Sequence, residues 1–206
     1  MNEPSIRHSP AAERNRAPIL TQLQRLLPAS GAALEIAAGS GQHAAHFAAA
    51  LPGWQWWPSE GDAASLASID AWCAGIPNVQ PPLHLNLLAQ AAAAPWAGVP
   101  AALHAVYCAN LLHIAPWATC AALMQGAAAH LVPGGQLVVY GPFIVDGEPT
   151  ADGNRSFDIE LRQLDPQWGL RRLADVQATA TAAGLQFREC VAMPANNLLL
   201  VFAQPT

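Results

Sequence analysis

Ala33-Leu-Glu-Ile-Ala37, then Ala38-Gly-Ser-Gly41, then Gln42-His-Ala-Ala-His-Phe-Ala-Ala-Ala-Leu51 is the stretch on which the fold turns. Its first part is a compact apolar run of strand length. The second is a glycine turn, and the third is an alanine-rich helical segment stopped by Pro52-Gly53. Strand, glycine turn and helix in that order open a β-α-β unit, in which the turn brings backbone N–H groups to the carboxyl end of a parallel sheet.

The alternation continues on both sides. Residues 18–27 set Ile19, Leu20, Leu23, Leu26 and Leu27 at helical spacing, with Pro18 in the first turn and Pro28 as the stop. Strand-like runs follow at 55–59, 83–87, 102–108 and 136–140, and helices are predicted over 62–73 and 116–131. A last helix at 173–183, capped by Gly184, precedes two strands at 185–191 and 198–203. Those two are joined by too few residues for a parallel crossover, so they must be antiparallel. The expected fold is α/β, a doubly wound, mostly parallel Rossmann-like sheet of about seven strands ending in an antiparallel hairpin. One domain is expected over 1–206, with 1–30 as an N-terminal lid and helix and 31–206 as the sheet–helix core.

Charge is distributed unevenly. Of 206 residues, 9 are Arg, none is Lys and 14 are acidic, for a net charge of −5; yet the 75 residues from 71 to 145 contain no Asp, Glu, Lys or Arg. A membrane-spanning helix needs about 20 consecutive apolar residues. Pro77, Pro81, Pro82, Asn86, Pro95, Pro100, Asn110, Pro116 and Pro133 cut the block into strand and short-helix lengths, which makes it a buried core. Met1 to Pro10 shows no apolar run behind a basic end, so the expected compartment is the cytoplasm. Cys73, Cys108, Cys120 and Cys190 have no metal-ligand spacing and are expected to be small buried residues; no metal site is implied. The acidic balance and the lack of a basic stripe argue against a nucleic-acid partner.

Gly39-Ser-Gly-Gln-His-Ala44 fits G-x-G-x-x-G/A, and Glu60 follows Gly41 by 19 residues at the end of the second strand. There its carboxylate can accept both ribose hydroxyls of a nucleoside cofactor. S-adenosylmethionine enzymes and NAD(P) oxidoreductases share this pattern. Three features favour the first: Glu35 inside the preceding strand, which would orient a cationic amino end and repel a pyrophosphate; the terminal hairpin; and the absence of positive charge near the loop.

Longer motifs sharpen the comparison. Ser9-Pro-Ala-Ala-Glu-Arg-Asn15, Leu34-Glu-Ile-Ala-Ala-Gly-Ser-Gly-Gln-His43, Cys108-Ala-Asn-Leu-Leu-His-Ile114, Tyr140-Gly-Pro-Phe143, Asp165-Pro-Gln-Trp-Gly169 and Met193-Pro-Ala-Asn-Asn197 span nearly the whole chain. With them the chain resembles a class I S-adenosylmethionine-dependent methyltransferase, specifically the methyltransferase-like protein 26 family. That resemblance implies S-adenosyl-L-methionine as cofactor, with contacts from Glu35, Gly39, Gly41, Glu60, Asn86 and Asn110; Ala37 of the same turn is expected beside them, and Arg14, in a segment that can fold over the cofactor edge as a lid, is expected to meet the methionine carboxylate or an acidic substrate group. Glu60 and Asn86 stand where Asp is the usual residue; Glu60 keeps the carboxylate, and the Asn86 amide can still face an adenine edge.

A methyl sulfonium is already activated, so the protein must chiefly align the reactants, with a base needed only for a protonated nucleophile. In the uncharged block the candidates are His84, His104, His113 and His130. His113, just past the fourth strand and with an ordinary pKa of about 6.5, is the expected base, and His130 a partner for its helix dipole. Asn15, Trp117, Phe143, Asn196 and Asn197 are expected to shape the pocket of a small-molecule substrate. Further ionised groups are expected from around Asp158 and Arg162. The function expected is methyl transfer to a small molecule; the alternatives are an NAD(P)-dependent oxidoreductase and a non-catalytic S-adenosylmethionine-binding protein. Oligomeric state is left open.

Overall fold

Strands as apolar as those of the uncharged block need cover on both faces, and the fold provides it. The computed structural model describes residues 6–89 and 95–206; residues 1–5 of the expected lid and 90–94 of the uncharged block lie outside them. In chain order the elements are α1 (Pro10–Leu26), β1 (Gly31–Ile36), α2 (Gln42–Ala50), β2 (Trp54–Glu60), α3 (Leu66–Cys73), β3 (Leu83–His84), β4 (Leu103–Ala109) and α4 (Ala118–His130). They continue with β5 (Leu131–Gly141), β6 (Phe143–Ile144), α5 (Asp152–Leu164), β7 (Arg171–Arg172), α6 (Leu173–Ala182), β8 (Gln186–Met193) and β9 (Asn197–Ala203).

Seven strands form one sheet in the order β3-β2-β1-β4-β5-β9-β8. The first five are parallel, and β9 pairs antiparallel with both β5 and β8, as the short hairpin requires. Alternate side chains sort to the two faces. Ala33, Ala105, Tyr107, Val138 and Val201 pack with Ile19, Leu23, Phe47 and Ile69 of α1, α2 and α3. Leu34, Ile36, Val106, Cys108, Leu137 and Val139 pack with Leu123 and Met124 of α4 and Val176 and Ala180 of α6. Among the described residues no helix is long and apolar enough to cross a membrane.

Five expectations change. The first helix begins at Pro10 rather than Pro18, because the Ser9 hydroxyl accepts from Ala12 N at 3.2 Å and caps it. Pro18 therefore lies inside α1. The strand expected over 83–87 shortens to two residues, since Pro81 and Pro82 have no N–H for a ladder and β3 is the sheet edge. Helix α5 and the small parallel β6–β7 pair were not expected. Cys190 is exposed, because β8 is the other sheet edge; the remaining three cysteines are buried. Finally, His130 acts as a clasp rather than a dipole partner: its Nε2 accepts from Trp96 N at 2.8 Å and its Nδ1 meets Pro100 O at 2.9 Å.

That clasp seats the Trp96 indole flat on the His130 ring, centroids 5.4 Å apart, and against Gly126 of α4. A Cβ at Gly126 would fall 1.8 Å from Trp96 Cε2. Gly126→Ala must then expel the indole, and overpacking of this kind is expected to cost at least about 2 kcal/mol. Urea unfolding followed by tryptophan fluorescence measures the loss.

Candidate functional site

Strand order reverses between β1 and β4, and the crevice outside the carboxyl ends at such a point is where open α/β sheets bind ligands. The chain leaves both strands in left-handed backbone, at Ala37 (φ 55°) and Asn110 (φ 55°). Asparagine tolerates that region; alanine does so only at a cost. Past Ala37 the glycine loop turns into α2. Gly41 has φ 94°, and a Cβ there would meet Ile69 Cα at 2.7 Å, so the loop can lie this close to α3 only with glycine.

Glu60, at the end of β2, ties the loop down. Its Oε2 accepts from Gly39 N at 2.8 Å, and its Oε1 accepts from Gly61 N at 2.7 Å and Asp62 N at 3.1 Å. A carboxylate has about four acceptor sites, so one stays available.

Three cavities meet along this edge. One of about 360 Å³ lies between Glu60, Asp62 and Asn86 on one side and the apolar Leu85, Leu87, Leu111 and Ile114 on the other, with Trp168 at its wall. A second, about 290 Å³, runs over Ala37–Ser40, Glu60 and Asn110 under Ser9 and Ala12. The largest, about 550 Å³, is lined by Arg14, Asn15, Asn110, His113, Tyr140, Asn154, Phe157 and Asn197 among others. Ile114 lines all three. In the first two, Glu60 and Asp62 are the charged lining groups and no Arg is present.

Helix α1 closes the cleft from above. Ser9 N donates to Gln42 Oε1 at 2.5 Å, Gln42 Nε2 donates to Glu13 Oε2 at 3.2 Å, and Arg7 N donates to Ser68 Oγ at 2.8 Å. Deeper in, Asn15 Oδ1 lies 2.6 Å from His43 Nε2, and His43 Nδ1 lies 3.3 Å from the Tyr107 hydroxyl. Burial drives the His43 pKa down to about 4, so its ring is neutral near pH 7.

His113 is buried at the wall of the largest cavity, edge-on to Phe157 with ring centroids 5.4 Å apart. Burial first, and then the Arg171 charge, lower its pKa to about 4. The ring is therefore a neutral hydrogen-bonding group and a far weaker base than a histidine of ordinary pKa, which corrects the expected match to neutral pH. Arg171, which sequence reasoning missed, builds this corner: Nε donates to Leu112 O at 2.8 Å, Nη2 to Ala115 O at 2.6 Å and Gln167 O at 2.7 Å, and its guanidinium lies over Trp117.

Other expected residues fall in different places. Glu35 lines none of the three cavities; it is buried in the sheet, where its Oε2 accepts from Trp56 Nε1 at 2.8 Å. Burial, against that hydrogen bond, raises its pKa to about 8, so near pH 7 it carries little charge with which to repel a pyrophosphate. Asn86 lines the first cavity, but its Oδ1 already accepts from Leu88 N and Ala89 N, leaving the amide N–H for a ligand. Phe143 is core, and with Asn196 it borders a separate cavity beyond Asn154 and Asn197. Trp117 is exposed over Arg171. Asp158 accepts from Leu170 N at 2.7 Å and from Arg162 Nε at 3.0 Å, fastening α5 to the following turn rather than facing the cleft. His84 meets Gly61 O, and His104 Nδ1 accepts from Ala32 N at the opposite end of the sheet. Ser9, Tyr140, Asn154 and Phe157 are lining residues that sequence reasoning did not single out.

The fold is that of class I methyltransferases. The mitomycin 7-O-methyltransferase MmcR superposes with a TM-score of 0.78 at 14% identity over 94% of this chain and 54% of that one. Human N-acetylserotonin methyltransferase in complex with SAM gives 0.74 at 14% identity, covering 95% and 53%. CalO1, a methyltransferase in calicheamicin biosynthesis in its SAH-bound form, gives 0.73 at 19% identity, covering 95% and 55%. The chain thus spans a little over half the length of these structures. It belongs to the DUF938 family, described as a protein of unknown function, whose model matches residues 6–204.

Glu35 gives the site a measurable pH signature. Its pKa rises from an ordinary 4.5 to about 8 on folding, so the stability it confers is complete below pH 4.5 and is lost as pH climbs toward 8. Glu35→Gln keeps an acceptor for Trp56 and removes the titration. Between pH 5.5 and about 8 the unfolding free energy of the native chain, measured by urea titration, is expected to fall relative to the variant's, by a difference on the order of a few kcal/mol at the upper end.

Proposed function

We propose that this chain is an S-adenosylmethionine-dependent methyltransferase acting on a small molecule. The carrying observation is the charge of the cleft at the glycine loop: Glu60 and Asp62 line it and no Arg does. Such a lining suits a cofactor that is cationic at its reactive end and lacks phosphates, and it disfavours a dinucleotide. The donor set fits as well. Glu60 retains an acceptor site for ribose, the slot of Leu85, Leu87, Leu111 and Ile114 has the apolar width for a base, and the Asn86 amide N–H can meet an adenine nitrogen. Ala37, Gly39 and Asn110 line the glycine-loop cavity, Gly41 turns that loop into α2 without lining it, and Glu35 acts from within the sheet by holding β1 to Trp56. The motifs shared with the methyltransferase-like protein 26 family support the same cofactor, and the methyltransferases of similar fold named above support a small acceptor. We place the protein in the cytoplasm as a single domain, with α1 and the segment from residue 6 that leads into it as the lid.

When bound, the cofactor supplies a methyl group already activated on sulfur. The chain's own residues then align the acceptor and exclude water. Asn110 and His113 stand where the largest cavity joins the glycine-loop cavity, which includes Asn110 in its lining. The neutral His113 ring accepts a hydrogen bond from the acceptor's nucleophile and orients it. α1 seals the top.

Isothermal titration tests the cofactor. Micromolar binding of S-adenosylhomocysteine with none of NADH is expected, and the reverse result sinks the proposal. Once a substrate is in hand, His113→Ala is expected to lower kcat by up to about 10²-fold through lost alignment of the nucleophile. Because burial holds His113 near pKa 4, the kcat/KM profile should show no acid limb near 6.5.

A further inference from the structure

The largest cavity has the opposite electrostatic character to the two beside it. Arg14 lies on its wall and no Asp or Glu does. Glu13, the adjacent carboxylate, is engaged by Arg16 and by Gln42 Nε2. Arg14 has no ion pair or hydrogen bond among the described residues.

A second donor is fixed from behind. Asn15 Oδ1 can only accept, so His43 Nε2 carries the ring proton, and His43 Nδ1 accepts from the Tyr107 hydroxyl. The Asn15 amide N–H is thereby left to act on the Tyr140 phenol, whose charged form it favours. Tyr140 itself lines the cavity, and a phenol that accepts one hydrogen bond still has its proton to donate. Arg14 is close enough to act on the Tyr140 phenol electrostatically. One wall of the cavity thus offers a guanidinium fork and a hydroxyl proton, with no carboxylate to compete for them.

We propose that the acceptor molecule bears a carboxylate, held by the Arg14 guanidinium and the Tyr140 hydroxyl, with its apolar body against Phe157 and Ile114 and its nucleophile toward His113. A guanidinium matches the two oxygens of a carboxylate, and a charge-assisted pair of this kind is the strong sort of hydrogen bond. A dianionic phosphate would call for a second cation, which the wall does not hold. Of the two partners the sequence left open for Arg14, the methionine carboxylate and an acidic substrate group, this selects the second. This proposal rests on the methyltransferase reading, and its test separates the two.

The full chain saturated with S-adenosylhomocysteine is titrated with benzoate, salicylate and phenylacetate, each paired with its primary amide. At least one acid is expected to bind about tenfold or more tighter than its amide. Arg14→Gln should erase that preference while leaving the S-adenosylhomocysteine Kd within about twofold, Arg14→Lys should keep part of it, and Tyr140→Phe should reduce it several-fold. If no acid outbinds its amide, or the preference survives Arg14→Gln, the proposal is overturned. A loss of about tenfold or more in S-adenosylhomocysteine affinity on Arg14→Gln assigns Arg14 to the cofactor and overturns the proposal while the methyltransferase reading stands. Absence of S-adenosylhomocysteine binding in the native chain overturns both.

Discussion

A sheet covered on both faces cannot keep ionised side chains in its middle, and the rest of the molecule follows from that constraint. β4 and β5 lie within the 75 uncharged residues from 71 to 145, and their side chains fill the cores on both faces. Chemistry is confined to the ends of the strands, where the backbone leaves the sheet and water or a ligand can reach it. Glu35 is the exception, an acid in the interior of β1, and it conforms by holding its proton and giving its oxygen to Trp56. Glu60, one strand over and at the strand end, sets its two side-chain oxygens among three backbone N–H groups. Position along the strand separates the two roles.

Backbone strain gathers at that same edge. Among the described residues five non-glycine residues have positive φ, and four of them, Ala37, Asn110, Ala195 and Asn196, border the cavities described above, as Ala102 does not. Each left-handed alanine costs about 1 kcal/mol or more, so it persists only where surrounding structure over-determines it. At Ala37 and Asn110 the paired strands β1 and β4 do so. At Ala195 and Asn196 the β8–β9 pairing does, helped by Asn154 Nδ2 donating to Asn196 O.

What the sequence made legible follows the range of the signals. Regular apolar runs flanked by Gly and Pro located the main strands, and the short 185–203 hairpin fixed its antiparallel sense. Glu60 was legible because its spacing from Gly41 carries a mechanism. Other residues depended on partners remote in sequence. Pro18 looked like a helix start because proline fits a first turn, but the Ser9 cap nine residues earlier sets the true start. Helix α5 was hidden by its polarity, although Phe157, Leu161 and Leu164 fall at i, i+4 and i+7 and mark its apolar stripe. Arg171 contacts Leu112 and Ala115, nearly sixty residues away, so no local pattern could reveal that it shapes the His113 corner or depresses that histidine's pKa.

Sign of charge is what gives the cleft a direction. Carboxylates gather at the glycine loop and the single guanidinium at the larger cavity, with Ile114 common to both. On the proposed reading a cationic donor and an anionic acceptor each find the opposite charge on their own side, and each would meet its like charge on the other. Helix α1 supplies the Arg of this division and, through Gln42 and His43, is locked to the start of α2 that carries the glycine loop. One helix outside the β-α rhythm therefore sets both the closure of the cleft and its polarity, and the buried chain from Tyr107 through His43 and Asn15 to Tyr140 keeps the two in register.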